Sequence, residues 1–241
     1  MYFKNEKEFN NLISGNNMIN LGKGSQGECY YDAKTGNVYK KIHWYEEENI
    51  ANYSKDEILQ FKDINTKSYY FPIDVIMVGN KISGIVTKYA CGRNLFDYSP
   101  FYIKLDKFIE DIGIVYDSID EISYNGIASY DVAYNIVYCY ENGFGIIDTL
   151  EYSQTGRDIT DLIIHNRYKF NYAIRKFLID GIFDEFIKDN YELMDLYRNK
   201  NISMIEFLSI FKCYLSVLSG RKVEQLSDVY EYANKNKKLC R

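Results

Sequence analysis

Near residue 90 the period of the hydrophobic pattern changes, and this constrains the fold more than any other feature of the sequence. Residues 18–90 carry short apolar runs split by turn signals: INLG, ECYYD and VYKKI, then FPIDVIMV and ISGIVTKYA. Such runs read as strands, with Thr35-Gly36-Asn37 and Gly79-Asn80-Lys81 closing two hairpins. One helical signal lies among them. SKDEILQFKDI (54–64) spaces Ile58, Phe61 and Ile64 along one face behind Ser54, a suitable N-cap. From about residue 95 the pattern is helical, and KLDKFIEDIGIVYDSIDEI (104–122) aligns Leu105, Phe108, Ile109, Ile112 and Val115. A single β interruption, NIVYCYENGFGIID (135–148), supplies two short strands joined through Glu141-Asn142-Gly143. The expectation is an α+β chain: a small antiparallel sheet with one helix over 1–90, then a helical part over 91–241 holding one hairpin.

Composition narrows the classes of function. With 46% hydrophobic residues in a chain of 241, a core can form without disulfides or metals. The five cysteines are scattered and contain no C-x-x-C pair, which argues against a zinc knuckle and fits reduced thiols. A net charge of −5 argues against nucleic acid as a partner. MYFKNEKEFNNL is too polar for a signal peptide, and FLSIFKCYLSVL (207–218) is too short for a membrane span. A cytoplasmic protein is therefore expected. His43 and His165 have no partners at metal-ligand or triad spacing.

LGKGSQGECYYDAKTGNVYKKI (21–42) holds Gly22, Gly24 and Gly27 in the order G-x-G-x-x-G, with Lys40 and Lys41 on the following strand. A plain hairpin that needs glycine would look the same. A strand–loop–strand setting argues against the dinucleotide and Walker loops, whose glycines open a helix. Alternation along a strand sends Lys40 and Lys41 to opposite faces.

These residues resemble the protein kinase-like superfamily, in its small, divergent bacterial or phage type. LGKGSQGECY is similar to the family's glycine-rich loop, with Cys29 where a valine usually packs under adenine, and NVYKKI is similar to its V-A-I-K strand. The resemblance implies that Lys40 pairs the phosphates of ATP and is held by Glu57, with Asp56 or an acid within 46–49 as the alternative partner. GIVTKYACGRNLFDY resembles the last strand and hinge, which implies Thr87 as gatekeeper and the backbone of Lys88, Tyr89 and Ala90 facing adenine. ASYDVAYNIVYCYENGFGIID resembles the catalytic loop and metal-binding hairpin. It implies Asp131 as the base for a substrate hydroxyl, and Asn135 and Asp148, thirteen positions apart, as ligands of Mg²⁺. The implied fold is two-lobed, with ATP and Mg²⁺ between an N-lobe (1–90) and a helical C-lobe (91–241).

The sequence also departs from the family pattern. Ser129 stands where a histidine is usual, Asp131 and Asn135 are four apart instead of five, Ala133 replaces a common lysine, and Asp148 opens D-T-L. No A-P-E occurs. Three functions remain open: a protein Ser/Thr (or Tyr) kinase, a small-molecule kinase of the aminoglycoside or choline type, and a nucleotide-binding scaffold without catalysis. The first is favoured because the loop-to-hinge pattern is closest to that branch.

Overall fold

The computed structural model describes residues 1–50, 52–199 and 202–234, and at Trp44, Glu47 and Glu48 the backbone only. The chain is a mixed α+β protein that divides into two compact units. Met1–Ala90 and Ile147–Leu150 form the first, and Cys91–Ile146 and Glu151–Arg241 the second. The division expected at residue 90 is thus crossed by one short segment, which includes Asp148.

In the first unit, β1 (Tyr2–Phe3), β2 (Met18–Lys23), β3 (Gly27–Asp32), β4 (Asn37–Ile42), β5 (Asp74–Val78) and β6 (Lys81–Lys88) form a sheet in the order β1-β5-β6-β4-β3-β2. The sheet is mixed where an antiparallel one was expected, because β1 runs parallel to β5 at its edge. Gly36 and Gly79, both at positive φ, close the β3–β4 and β5–β6 turns. Each face of the sheet has its own apolar cluster. On one side Tyr39, Ile76 and Val86 meet Phe9 and Ile13 of a helix, α1 (Glu6–Ile13). On the other, Ile42, Val75 and Ile85 meet Ile50, Ile58 and Leu150.

Two expectations for this unit are corrected. More than one helix covers the sheet: α1 was not expected, because Phe9 and Ile13 are its only buried residues and leave little pattern to detect. The helix expected over 54–64 is a single turn, α3 (Lys55–Ile58), preceded by another short turn, α2 (Glu47–Ile50). Ser54 caps it as expected. Beyond Leu59, however, the chain continues in three-residue turns, which let the Phe61 ring pack 5.5 Å from that of Phe71. Tertiary burial of Phe61 here overrides local helical spacing.

In the second unit, β7 (Arg93–Asn94) leads to α4 (Leu105–Tyr124), β8 (Ile127–Ala128), the hairpin β9 (Ile136–Cys139) and β10 (Gly143–Ile146), and β11 (Ser153–Gln154). The helices α5 (Ile159–Leu178), α6 (Asp184–Lys188), α7 (Tyr191–Arg198) and α8 (Met204–Ser219) follow. Phe108, Ile112, Val115 and Ile119 of α4 are fully buried together with Phe170, Ile174 and Phe177 of α5 and Phe207, Phe211 and Leu215 of α8. The β9–β10 hairpin is tied to α4 by a buried carboxylate, Asp111, which accepts from Tyr138 Oη at 3.1 Å and pairs with Lys107. Gly143, at φ +74°, lies so close that a Cβ there would meet the Asp111 carboxyl at 3.1 Å. Among the described residues no helix is long and apolar enough to cross a membrane. Cys29, Cys91, Cys139 and Cys213 are free thiols, and Cys240 lies outside the described residues.

Candidate functional site

The glycines between β2 and β3 serve different purposes. Gly22 sits at φ +139° beside a register shift in the β2–β3 pairing, a conformation that side chains resist. At Gly27 a Cβ would come within 2.3 Å of the Lys41 carbonyl oxygen, so the β3–β4 pairing needs a bare backbone there. Gly24 has no such duty: its φ is ordinary and its nearest neighbour is 3.9 Å from a built Cβ. Gly27→Ala is therefore expected to lower stability by about 1–3 kcal/mol, the usual cost of overpacking, and Gly24→Ala by under about 1 kcal/mol. Chemical denaturation of the two variants checks this, and equal losses would contradict it.

The tip of the same loop is pinned from β4 and the turn after it. His43 N–H donates to the Gln26 carbonyl at 3.0 Å, His43 Nε2 lies 3.2 Å from the Gly24 carbonyl, and Tyr45 Oη donates to the Ser25 carbonyl at 3.1 Å. Lys40 and Lys41 take opposite faces, as alternation requires. Lys41 Nζ donates to Asn10 Oδ1 of α1 at 2.8 Å. Lys40 Nζ donates to Gln26 Oε1 at 2.8 Å and to Asp148 Oδ1 at 2.6 Å. Cys29 is the cross-strand neighbour of Lys40, and burial pushes its thiol up, the Lys40 charge opposing that rise.

Glu57 does not hold Lys40. Its carboxylate accepts from the Ser54 N–H at 2.6 Å, while Ser54 Oγ accepts from the Glu57 N–H at 3.2 Å, closing a capping box. Those bonds hold the Glu57 carboxyl below its ordinary value and keep it at an exposed helix start. The partner expected on the helix is instead Asp148, 108 positions along the chain from Lys40. The alternatives Glu47 and Glu48 lie outside the described side chains. Asp56 is exposed, and the Glu46 carboxylate accepts from Asn49 Nδ2.

Asp148 is positioned by its neighbours. Thr149 Oγ1 donates to the Tyr70 carbonyl at 3.3 Å, and Leu150 packs into the Ile42–Ile85 cluster. These anchors fix Asp148 at φ +57°. Among the described residues only one other non-glycine has positive φ, and it is Asp131, at +44°. Backbone held in that region has a local cost that surrounding structure must offset.

Around Asp131 the loop is supported from α5. Asn166, fully buried, accepts from both the Ser129 N–H and Ser129 Oγ at 2.8 Å, and donates to Ser123 Oγ and the Ile127 carbonyl at 2.9 Å. Ser129 is thus a loop anchor. His165 Nε2 lies 3.0 Å from the Ser129 carbonyl, and burial holds its pKa below the ordinary histidine value. At the far end of the loop, Asn94 Nδ2 donates to the Tyr134 carbonyl at 2.8 Å. The shortened Asp131–Asn135 segment closes as a turn. Asn135 N–H donates to the Val132 carbonyl, and Asn135 Nδ2 donates to the Asp131 carbonyl at 2.8 Å and to Oδ2 at 3.3 Å. Asp131 itself is exposed.

Of the residues implied to face adenine, Thr87 is half-buried opposite Val38, and Ala90 is buried. Lys88 Nζ donates to Asn37 Oδ1, and Tyr89 N–H to the Gly36 carbonyl at 3.1 Å. Gln26, Asn94 and Asn166 were not anticipated. Asn166 had a readable signal, since it interrupts the apolar stripe Leu162, Phe170, Ala173, Phe177 of α5. Among the described residues no group of three or more His, Cys, Asp or Glu side chains is gathered as a metal site. No model of a known protein family matches the sequence, and no curated protein matches it.

Proposed function

We propose that the chain is a phosphotransferase of the protein-kinase type, moving the γ-phosphoryl group of ATP to a hydroxyl, with a protein Ser or Thr as the favoured acceptor. One observation carries this reading. Gln26 of the glycine loop, Lys40 of β4 and Asp148, the last 108 positions from Lys40 in sequence, meet at a single ammonium in the first unit.

Asp148 offers hard oxygen atoms beside Lys40, and Mg²⁺ takes one or two carboxylates and completes its shell with water and phosphate, so a larger protein cluster is not required; Asn135 as a second ligand rests on the resemblance alone. ATP would supply the transferable group, and Mg²⁺ the neutralising charge. Lys40 keeps its ammonium against the sheet, where phosphate oxygens can replace the Gln26 amide. At Gly24 the backbone carries no side chain and has open space around it, so a phosphate can approach the loop closely there. Asp131 accepts or orients the proton of the acceptor hydroxyl, its carboxylate held by Asn135 Nδ2.

The capping role of Glu57 favours a second reading, a nucleotide-binding scaffold without transfer. The short link from Asp148 to β11 favours a small-molecule acceptor. ATP with Mg²⁺ at a hundredfold its Kd is expected to stabilise the protein by about 2.7 kcal/mol, read as a rise in melting temperature. No rise at millimolar nucleotide would overturn both the kinase and scaffold readings. Labelled ATP offered with protein acceptors and with small hydroxyl metabolites then separates them. Label on protein supports the proposal, label on a metabolite replaces the acceptor class, and binding without transfer leaves the scaffold.

A further inference from the structure

We infer that the face of α5 beside the Asp131 loop recognises acidic peptide segments flanking the acceptor hydroxyl, an inference that rests on the phosphotransfer reading. His165, Tyr168, Lys169, Tyr172 and Lys176 recur at helical spacing on α5, while Leu162, Asn166, Phe170, Ala173 and Phe177 are buried. Tyr168 and Tyr172 are each 47% exposed, and Tyr134 of the loop is 57% exposed. The loop lies along this face: it meets α5 through His165 and the Ser129 carbonyl at one end, and through Lys176 and Tyr134 Oη at the other. Those attachments are eleven residues apart on the helix, a span of roughly 16 Å. Lys176 Nζ stands 4.5 Å from the Tyr134 ring centroid and 6.0 Å from that of Tyr172.

The charge on this face is unbalanced. Arg167 of α5 is paired with Asp120, and Arg175 is engaged by the Asn199 carbonyl and the Tyr197 ring. Among the described residues, Arg157, Lys169 and Lys176 have no carboxylate within ion-pair distance. Arg157 and Lys169 both bear electrostatically on His165. Asp180, whose charge Lys176 feels, is taken by Tyr197 Oη. The acids of the helix, Asp158 and Asp161, sit at its amino end, where the dipole favours them. Three cations without a carboxylate partner, Lys176 among them beside the Tyr134 and Tyr172 rings, fit two or three carboxylates on an extended peptide whose hydroxyl reaches Asp131. A nucleic acid fits less well: its run of phosphates calls for a longer basic stripe, and the chain carries a net charge of −5.

Binding of fluorescent serine peptides with acidic, neutral or basic flanks, read by anisotropy without nucleotide, tests the surface apart from turnover. The acidic peptide is expected to bind at least tenfold more tightly than the others, and to weaken with salt. Lys169→Glu, chosen because among the described residues Lys169 makes no hydrogen bond or ion pair, should lose at least fivefold, and Lys169→Glu/Lys176→Glu should reverse the preference. Equal affinities for the three peptides, or tighter binding of a single-stranded oligonucleotide, would overturn the inference. Acidic-peptide binding without any ATP-induced melting shift would support the surface and count against the phosphotransfer reading. An ATP shift with no peptide preference would do the reverse.

Discussion

Asp148→Asn is expected to fold as the wild type does and to transfer phosphate at least about 100-fold more slowly, the scale of losing one electrostatic contact made to the transition state. Asparagine isolates the charge. It tolerates the left-handed conformation that Asp148 adopts at φ +57°, and its amide oxygen can still accept from Lys40 Nζ. The ion pair is partly buried, with side chains 13% and 27% exposed, so its loss lowers stability by only about 1 kcal/mol. Alanine would add backbone strain of about 1–2 kcal/mol and confuse the result. Transfer of labelled γ-phosphate, with melting temperature as the control for folding, is the measurement. Turnover within threefold of wild type would remove Asp148 from the proposed site.

Asn166→Leu is expected to cost about 3–5 kcal/mol, enough to unfold a marginally stable protein. Leucine is close in size but leaves the Ser129 N–H and the Ile127 carbonyl without their partner in a site closed to water. Each orphaned buried group costs about 1–3 kcal/mol, and the two serine hydroxyls lose a bond each. Because Ser129 stands two residues before Asp131, the damage falls on the loop as well as on the core. Asn166→Asp keeps the acceptor oxygen for Ser129 but buries a carboxylate beside the Ile127 carbonyl, and should also destabilise. Denaturant titration reads both. A loss below about 1 kcal/mol for the leucine variant would show that the network carries little of the fold's stability.

Where the chain's own periodicity was strong, the fold was legible. The hairpins at Gly36, Gly79 and Gly143, the strand carrying Lys40, and α4 follow from turn residues and apolar spacing that local physics enforces. α1 escaped notice because it buries only Phe9 and Ile13, and the helix expected through residue 64 stopped at Ile58 because Phe61 turns toward Phe71. The candidate residues were readable one by one, but their partners were not. Glu57 carries both signals, a helix-borne acid suited to Lys40 and the fourth residue of a Ser-x-x-Glu capping box. Local sequence cannot rank a long-range ion pair against a cap three residues away.

By itself, then, the sequence determined the hairpins β3–β4, β5–β6 and β9–β10 and the helix α4, the opposite facing of Lys40 and Lys41, and the acids and amides available for chemistry. These depend on backbone stereochemistry and on spacing within a few residues. Only the tertiary structure decided that Lys40 binds Asp148 and Gln26, that Asn166 holds the Asp131 loop, and that Asp131 and Asp148 share a left-handed backbone. Those contacts join residues from 14 to 108 positions apart. They form because the sheet and the helices bring their backbones together, and a buried charge or amide then takes whichever partner lies within reach.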